Sequence, residues 1–407
     1  MTKEITIVGA GVGGLFTAYF LIKNGFKVSL FDQNSAIGKK FLVAGKGGLN
    51  LTHGEETEHF VDKYHPNQEL FKNLIDNFSP KDLRKLCKEI GFETFKGTSN
   101  RIFPKDIQAI EILNLLLAKL NSFKNFNLIL NHKLEQISNE NVVSFKCLKT
   151  EKVINHKSDI LIYSLGGASW KVTGSNGNWT KLFTQHNINI IPFSPVNCGY
   201  NCDWQKNFTS LFSSFPLKNC TFKFQNKSIR GEVLINQYGI EGSAIYALSY
   251  DLTNSLKNKS IETQLEIDFK PDLTETQLKD KIQLALKPNK ITLSNFLRKK
   301  INLSSDILSL LIELNGKEIL NSEELLINAI KSSSILLKST RPIDEAISTT
   351  GGIDLKEIDQ NFMLKKLPKH YIIGEMLDWS APTGGYLIQG CISQAYLISK
   401  HITNTKS

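Results

Sequence analysis

Gly9, Gly11 and Gly14 stand at the spacing G-x-G-x-x-G, and Asp32 follows about twenty residues later. Each position has its own physical use. Gly9 permits a tight turn at the end of a strand. Gly11 lets the backbone approach a ligand closely. Gly14 lets a helix pack against the strand before it. The first turn of that helix offers unpaired N–H groups and a partial positive charge, which together attract phosphate. A carboxylate at 32 can accept both hydroxyls of a ribose and disfavours a 2′-phosphate. Gly9, Gly11, Gly13, Gly14, Asp32 and the adjacent Gln33 therefore point to a dinucleotide without a 2′-phosphate.

A second glycine-rich stretch, Ala44-Gly45-Lys46-Gly47-Gly48-Leu49-Asn50, follows Gly38-Lys39-Lys40. It predicts backbone carried close to a flat or charged ligand, with Lys39, Lys40 or Lys46 free to face phosphate or flavin. The segment 159–164 reads as a strand ending near Gly166-Gly167, where the chain can pass beneath a cofactor. The strand at 370–373 ends in Gly374-Glu375, and Gly384-Gly385-Tyr386 opens a last helix over 387–401. Such a helix N-terminus would stabilise the negative charge that reduced flavin carries near N1. Glu375 is placed to bind the hydroxyls of a ribityl chain.

The elements that must position these residues are visible as patterns. Ile5-Thr6-Ile7-Val8 reads as a buried strand, 15–24 as a helix ended by Gly25, and Lys27-Val28-Ser29-Leu30-Phe31 as a second strand. Residues 71–90 and 107–123 carry apolar side chains at helical spacing, and 126–156 reads as a three-stranded meander. The texture changes near Pro192 and Pro195. Strand patterns then run to about 270, followed by helical patterns with a capping box over Thr274-Glu275-Thr276-Gln277. The expected class is α/β: a Rossmann-like FAD-binding domain of the two-layer glutathione-reductase type. It is split between 1–190 and 341–407 around an inserted module at 191–340, β-rich over 191–270 and helical over 271–340.

Composition excludes several classes. A chain of 407 residues with 41% hydrophobic and 22% charged residues is an ordinary globular protein of more than one domain. No apolar run approaches the roughly 20 residues needed to span a bilayer, and no signal peptide is recognisable, so a cytoplasmic protein without a membrane segment is expected. The net charge is +10, yet only five of the 49 basic residues are arginine and the lysines are dispersed. Nucleic-acid binding is therefore not expected. The pair Cys198 and Cys202 lacks the redox C-x-x-C spacing, and no histidine or cysteine cluster has metal-ligand spacing. No metal is expected.

Only one G-x-G-x-x-G is present, so a second Rossmann domain for a nicotinamide is not expected. One N-terminal βαβ completed by a distant C-terminal strand and helix suits a flavin enzyme. The chain also resembles the bacterial flavoproteins of the BaiN/YhiN type, a family of NAD(P)/FAD-dependent oxidoreductases. The resemblance runs from end to end. It rests on IVGAGVGGL at 7–15, GKKFLVAGKGGLN at 38–50, NRIFP at 100–104, GIEGSAI at 239–245, TTGGID at 349–354 and IIGEMLDWSAPTGGYLIQG at 372–390. It implies that Gly9, Gly11, Gly14 and Asp32 hold the ADP half of FAD, and that Lys40, Gly45, Gly47, Gly48 and Asn50 line the flavin. It further implies that Glu375, Gly384, Gly385 and Tyr386 contact the ribityl chain and pyrimidine edge. Many members carry S-G-G-G-R-C-N where this chain has A-G-K-G-G-L-N. Chemistry assigned to that cysteine does not transfer, and the resemblance supplies no substrate.

The expected activity is hydride transfer between flavin N5 and a small molecule, with NAD(P)H as transient reductant and no obligate protein partner. The substrate is expected between the flavin and the inserted module. Arg101, Asn197 and Tyr386 are the candidates for orienting it, Arg101 by gripping a carboxylate. Three rivals remain: an oxidase releasing peroxide, a flavoprotein acting on RNA, and a non-catalytic FAD-binding module.

Overall fold

The computed structural model describes residues 3–138, 140–286 and 293–405. The chain divides into two compact units, one formed by the residues up to 195 together with those from 343 onward, the other by 196–342.

The first unit is built on five parallel strands. Their spatial order is Phe126–Ile129, Lys27–Phe31, Glu4–Val8, Ile160–Tyr163 and His370–Ile372. In order of appearance this is 3-2-1-4-5, the doubly wound arrangement. Ile5, Ile7, Val28, Leu30, Leu161 and Ile162 are all fully buried, as a parallel sheet covered on both faces requires. The first helix, Val12–Lys23, starts at Val12 rather than Leu15, so Gly13 and Gly14 lie in its first turn. A Cβ on Gly14 would stand 1.9 Å from the carbonyl oxygen of Gly9, which explains why only glycine fits there. This helix packs on the C-terminal helix Tyr386–Asn404, with the rings of Phe20 and Tyr396 edge to face at 5.5 Å.

Two segments of this unit differ from their sequence reading. Residues 71–90 form two helices, Gln68–Asn77 and Pro80–Ile90. Pro80 cannot donate to a preceding turn, and Ser79 caps the new helix. The Asp82 N–H donates to Ser79 Oγ at 3.3 Å, and the Ser79 N–H donates to Asp82 Oδ2 at 3.1 Å. Over 126–156, the strand Phe126–Ile129 joins the parallel sheet, and the meander is made by His132–Ile137, Val142–Cys147 and Val153–Lys157. A small antiparallel sheet orders Thr52–His53, Arg101–Pro104 and Thr94–Lys96 in the same unit.

The second unit is a closed antiparallel barrel. Around it run Tyr200–Cys202, Gly239–Glu241, Lys227–Asn236, Ser214–Phe224, Thr263–Asp268 and Ser333–Thr340. Alternation drives it: Phe215, Leu217, Phe222 and Phe224 are buried while their neighbours are more exposed. The β-rich range contains the helix Ser243–Lys257, whose Ala244, Ile245, Leu248 and Leu252 are buried at helical spacing. The helical range ends in a strand, Ser333–Thr340, with Ser333, Ile335 and Leu337 buried in alternation. Locally Ile-Leu-Leu-Lys continues a helical pattern. Pairing with Thr263–Asp268 on one side and Tyr200–Cys202 on the other decides otherwise. The capping box is present, with the Thr274 N–H donating to Gln277 Oε1 at 3.0 Å and the Gln277 N–H to Thr274 Oγ1 at 3.2 Å. Among the described residues no helix is long and apolar enough to cross a membrane.

Candidate cofactor and active site

A cavity of about 790 Å³ opens along the carboxyl edge of the parallel sheet. Val8 and Gly9, Asp32, Ser164 and Ile373, each at or just beyond the end of a parallel strand, contribute to its wall. Doubly wound proteins bind their ligands at this edge.

At one end lie Gly9, Gly11, Gly13, Asp32 and Gln33. Gly9 has a left-handed φ of 106°, and a Cβ there would stand 2.2 Å from the carbonyl oxygen of Ser164. Gly11 is different. Its backbone is in the extended region, and a Cβ would meet no atom within 4 Å. This open space lies at the N-terminus of the first helix. Asp32 Oδ2 accepts from the Ala10 N–H at 2.7 Å, and Oδ1 from the Asn34 N–H at 2.7 Å. The carboxylate thus locks the glycine turn onto the end of the second strand. Lys39 Nζ donates to Asn34 Oδ1 at 2.8 Å, and Gln33 Nε2 to the Gly174 carbonyl at 2.8 Å.

Lys40, Gly48, Asn50, Gly166, Gly374, Glu375, Gly384 and Gly385 line the remainder. Lys40 Nζ donates to Glu375 Oε2 and to Ser169 Oγ, both at 2.8 Å. The other carboxylate oxygen, Glu375 Oε1, is buried without a hydrogen-bond partner, and so is Asn50 Oδ1. A buried acceptor left unpaired costs about 1–3 kcal/mol, and both oxygens belong to residues of the cavity wall, where a ligand donor could satisfy them. Gly385 caps the C-terminal helix at φ 101°, packed so closely that a Cβ would sit 2.5 Å from the backbone of Thr52. Open space over Gly11 at a helix N-terminus and buried unpaired acceptors in the cavity wall fit a dinucleotide such as FAD.

Other candidates fall elsewhere. Gly14 is internal to the turn. Gly45 and Gly47 do not line the cavity, and a Cβ on Gly45 would stand 2.5 Å from Ala109 Cβ, so its smallness serves helix packing. Tyr386 is buried beside the cavity wall. Its hydroxyl donates to Glu55 Oε1 at 2.5 Å and its ring stacks on His53 at 5.3 Å. Burial and the Glu55 carboxylate push the Tyr386 hydroxyl far above its ordinary value. Burial alone would raise Glu55, but His53, 3.4 Å away, and the hydrogen bond from Tyr386 outweigh it and hold this carboxyl below the usual range. Arg101 approaches the cavity wall at Gly384, where a Cβ would lie 3.4 Å from Arg101 Nε. Asn197 belongs to the barrel unit, where its backbone N–H donates to Ser249 Oγ at 2.8 Å.

Sequence reasoning missed the segment carrying Trp170, Thr173, Ser175 and Asn178, all of which line the cavity. Its signal was the turn-forming run Gly174-Ser175-Asn176-Gly177 soon after a strand end. The edge of the meander, His132 to Glu135, also contributes and carried no local signal.

A doubly wound sheet with a dinucleotide cleft at its carboxyl edge and acceptors for a ribityl chain defines a Rossmann-type, FAD-dependent oxidoreductase. The chain belongs to the family described as HI0933-like protein Rossmann domain, which matches residues 3–401. It is 25% identical, over 98% of both chains, to a ribosomal RNA dihydrouridine synthase of Haemophilus influenzae. It is 24% identical, again over 98% of both, to a 3-dehydro-bile acid delta(4,6)-reductase of Clostridium scindens. Its fold is similar to the 3-ketosteroid-delta4-(5alpha)-dehydrogenase of Rhodococcus jostii RHA1, with a TM-score of 0.53, 10% identity, and coverage of 100% of this chain and 97% of that one. The resemblance to the BaiN/YhiN flavoproteins holds.

Proposed function

We propose that the protein saturates a carbon–carbon double bond conjugated to a carbonyl group in a small molecule, with FAD as hydride carrier and NAD(P)H as reductant. The observation that carries the cofactor reading is Glu375 Oε1, buried on the cavity wall without a partner and held there by Lys40. The substrate class is supported by the names of the relatives. One makes dihydrouridine, a uracil ring saturated at the double bond conjugated to its carbonyl. The other is a delta(4,6)-reductase of a 3-dehydro-bile acid, whose ring double bonds are conjugated to a 3-oxo group. The shared chemistry is reduction of an enone-like system: NAD(P)H, a proton and the double bond yield NAD(P)+ and the saturated product.

When bound, FAD supplies an N5 that accepts and returns hydride. The chain's own residues do the rest. Gly11 and the helix behind it receive the pyrophosphate, Asp32 the ribose, and Glu375 the ribityl hydroxyls. Gly385 aims a helix N-terminus at the ring end, favouring negative charge there.

The test is the flavin absorption spectrum of the reconstituted protein without oxygen, titrated with NADH and then NADPH. Bleaching of the flavin bands by one of them, followed by recovery on adding a cyclic enone, is expected. Bands that persist with both nicotinamides would remove the reductant from the reading.

A second reading keeps the chemistry and places the uracil in RNA. Two relatives named ribosomal RNA dihydrouridine synthases, 25% and 22% identical, favour it. It predicts salt-sensitive binding of an rRNA transcript and dihydrouridine formation in it.

A further inference from the structure

The strand Arg101–Pro104 turns Arg101 and Phe103 to one face, because residues two apart along a strand point the same way. Ile102 between them is buried on the other face. The two side chains reach two glycines of the cavity wall. A Cβ on Gly384 would lie 3.4 Å from Arg101 Nε, and one on Gly48 would lie 3.8 Å from Phe103 Cε1. The register sets Phe95 opposite Phe103, and their rings stack at 5.6 Å and 24°. This strand therefore presents a guanidinium and an aromatic pair beside the end of the cavity where Gly48 and the helix N-terminus at Gly385 lie.

The guanidinium is uncommitted. Arg84 bonds Thr94, Arg230 grips Asp272 with two N–H groups, Arg298 bonds Asn295, and Arg341 bonds Asn201. Arg101, half-buried, donates no side-chain hydrogen bond and meets no carboxylate among the described residues. Glu55, on the chain beyond the neighbouring strand, is taken up by Tyr386 at 2.5 Å and lies 3.4 Å from His53 Nδ1. Beside Gly384 of the cavity wall, the five N–H donors of Arg101 have no bonding partner among the described residues and are suited to an oxygen that carries negative charge.

The geometry points to Arg101 as the group that holds the substrate's carbonyl oxygen while charge develops on it, with Phe103 and Phe95 as the apolar wall for a planar ring. This rests on the enone reduction proposed above. Hydride adds to the β carbon, the π electron pair moves onto the carbonyl oxygen, and the resulting enolate is held by Arg101. A proton from water then goes to the α carbon and the carbonyl is restored. An arginine that only anchored a carboxylate would bind ground state and transition state alike. This one bonds most strongly to the charge-developed oxygen, so its loss belongs in kcat.

Flavin uptake by the wild type tests the cofactor reading alone. On the flavin-loaded protein, para-chlorophenol then tests Arg101, since its phenolate mimics an enolate and gives a long-wavelength charge-transfer band over oxidised flavin. The band is expected well below the phenol's free pKa in the wild type. In Arg101→Gln it moves up by at least one pH unit, about a tenfold loss of phenolate affinity, with Arg101→Lys between. With an enone, Arg101→Gln lowers kcat about 100-fold and leaves KM within about threefold. The same phenolate pH dependence in all three proteins overturns the proposal, as does a raised KM with unchanged kcat.

Discussion

Lys40 and Glu375 stand 335 positions apart in the chain and meet at 2.8 Å on the cavity wall. The contact joins the short helix Lys39–Ala44, which follows the second parallel strand, to the turn Gly374–Met376 just past the last one. It also fixes which carboxylate oxygen is free. With Oε2 tied to Lys40, Oε1 is left buried and aimed at nothing in the protein.

Glu375→Gln keeps the shape and removes the charge. FAD affinity should fall at least about tenfold, since a hydrogen bond to a charged acceptor is worth about 1.5–3 kcal/mol. Fluorescence quenching on titrating FAD into apoprotein measures it, and an unchanged affinity would take Glu375 out of the site.

Gly11 and Gly14 separate binding from folding. A Cβ at 11 meets open space, whereas one at 14 would overlap the Gly9 carbonyl at 1.9 Å. Gly11→Ala should leave the melting temperature of the apoprotein nearly unchanged and weaken FAD binding by crowding the pyrophosphate. Gly14→Ala should lower the melting temperature itself. Equal losses of stability in the two variants would contradict this assignment.

His370 is fully buried, with Tyr163 Oη 3.0 Å from Nδ1 and Asn141 Oδ1 3.2 Å from Nε2. Burial, with a smaller contribution from His186, lowers its pKa from 6.5 to about 4. Between those values the unfolded chain binds a proton that the folded chain refuses. Its contribution is therefore complete above about pH 6.5 and is lost as pH falls toward 4, by about 3 kcal/mol. Urea unfolding from pH 7 to 4 should show this slope, and His370→Gln should flatten it.

Tyr386→Phe removes the donor to Glu55. The variant should lose about 2 kcal/mol of stability, because a charge-assisted hydrogen bond disappears inside a half-buried cluster, and the Glu55 carboxyl should titrate at higher pH. FAD affinity should stay within a few-fold, since the Tyr386 side chain does not line the cavity. A large loss of turnover at unchanged stability would return Tyr386 to the reacting centre.

The cavity wall was legible wherever it is built by a continuous motif. The turn at Gly9 to Gly14, the acid at 32, and Gly374-Glu375 each follow a strand of apolar residues, so local pattern alone placed them at strand ends. The segment Trp170 to Asn178 was not legible as a wall of the cavity. It is brought there by Gln33 donating to the Gly174 carbonyl and by Ser175 donating to that of Gly167, contacts between distant or irregular pieces of chain.

By itself the sequence determined the glycine turn between strand and helix and the parallel-sheet class, because strand alternation, helix periodicity and glycine spacing are set by neighbours a few positions apart. Only the tertiary structure decided that Ser333–Thr340 closes a barrel rather than extending a helix, that Gly45 serves packing, and that Arg101 meets no hydrogen-bonding partner among the described residues. Each of those depends on which distant atoms arrive at the same place, and no local propensity encodes that.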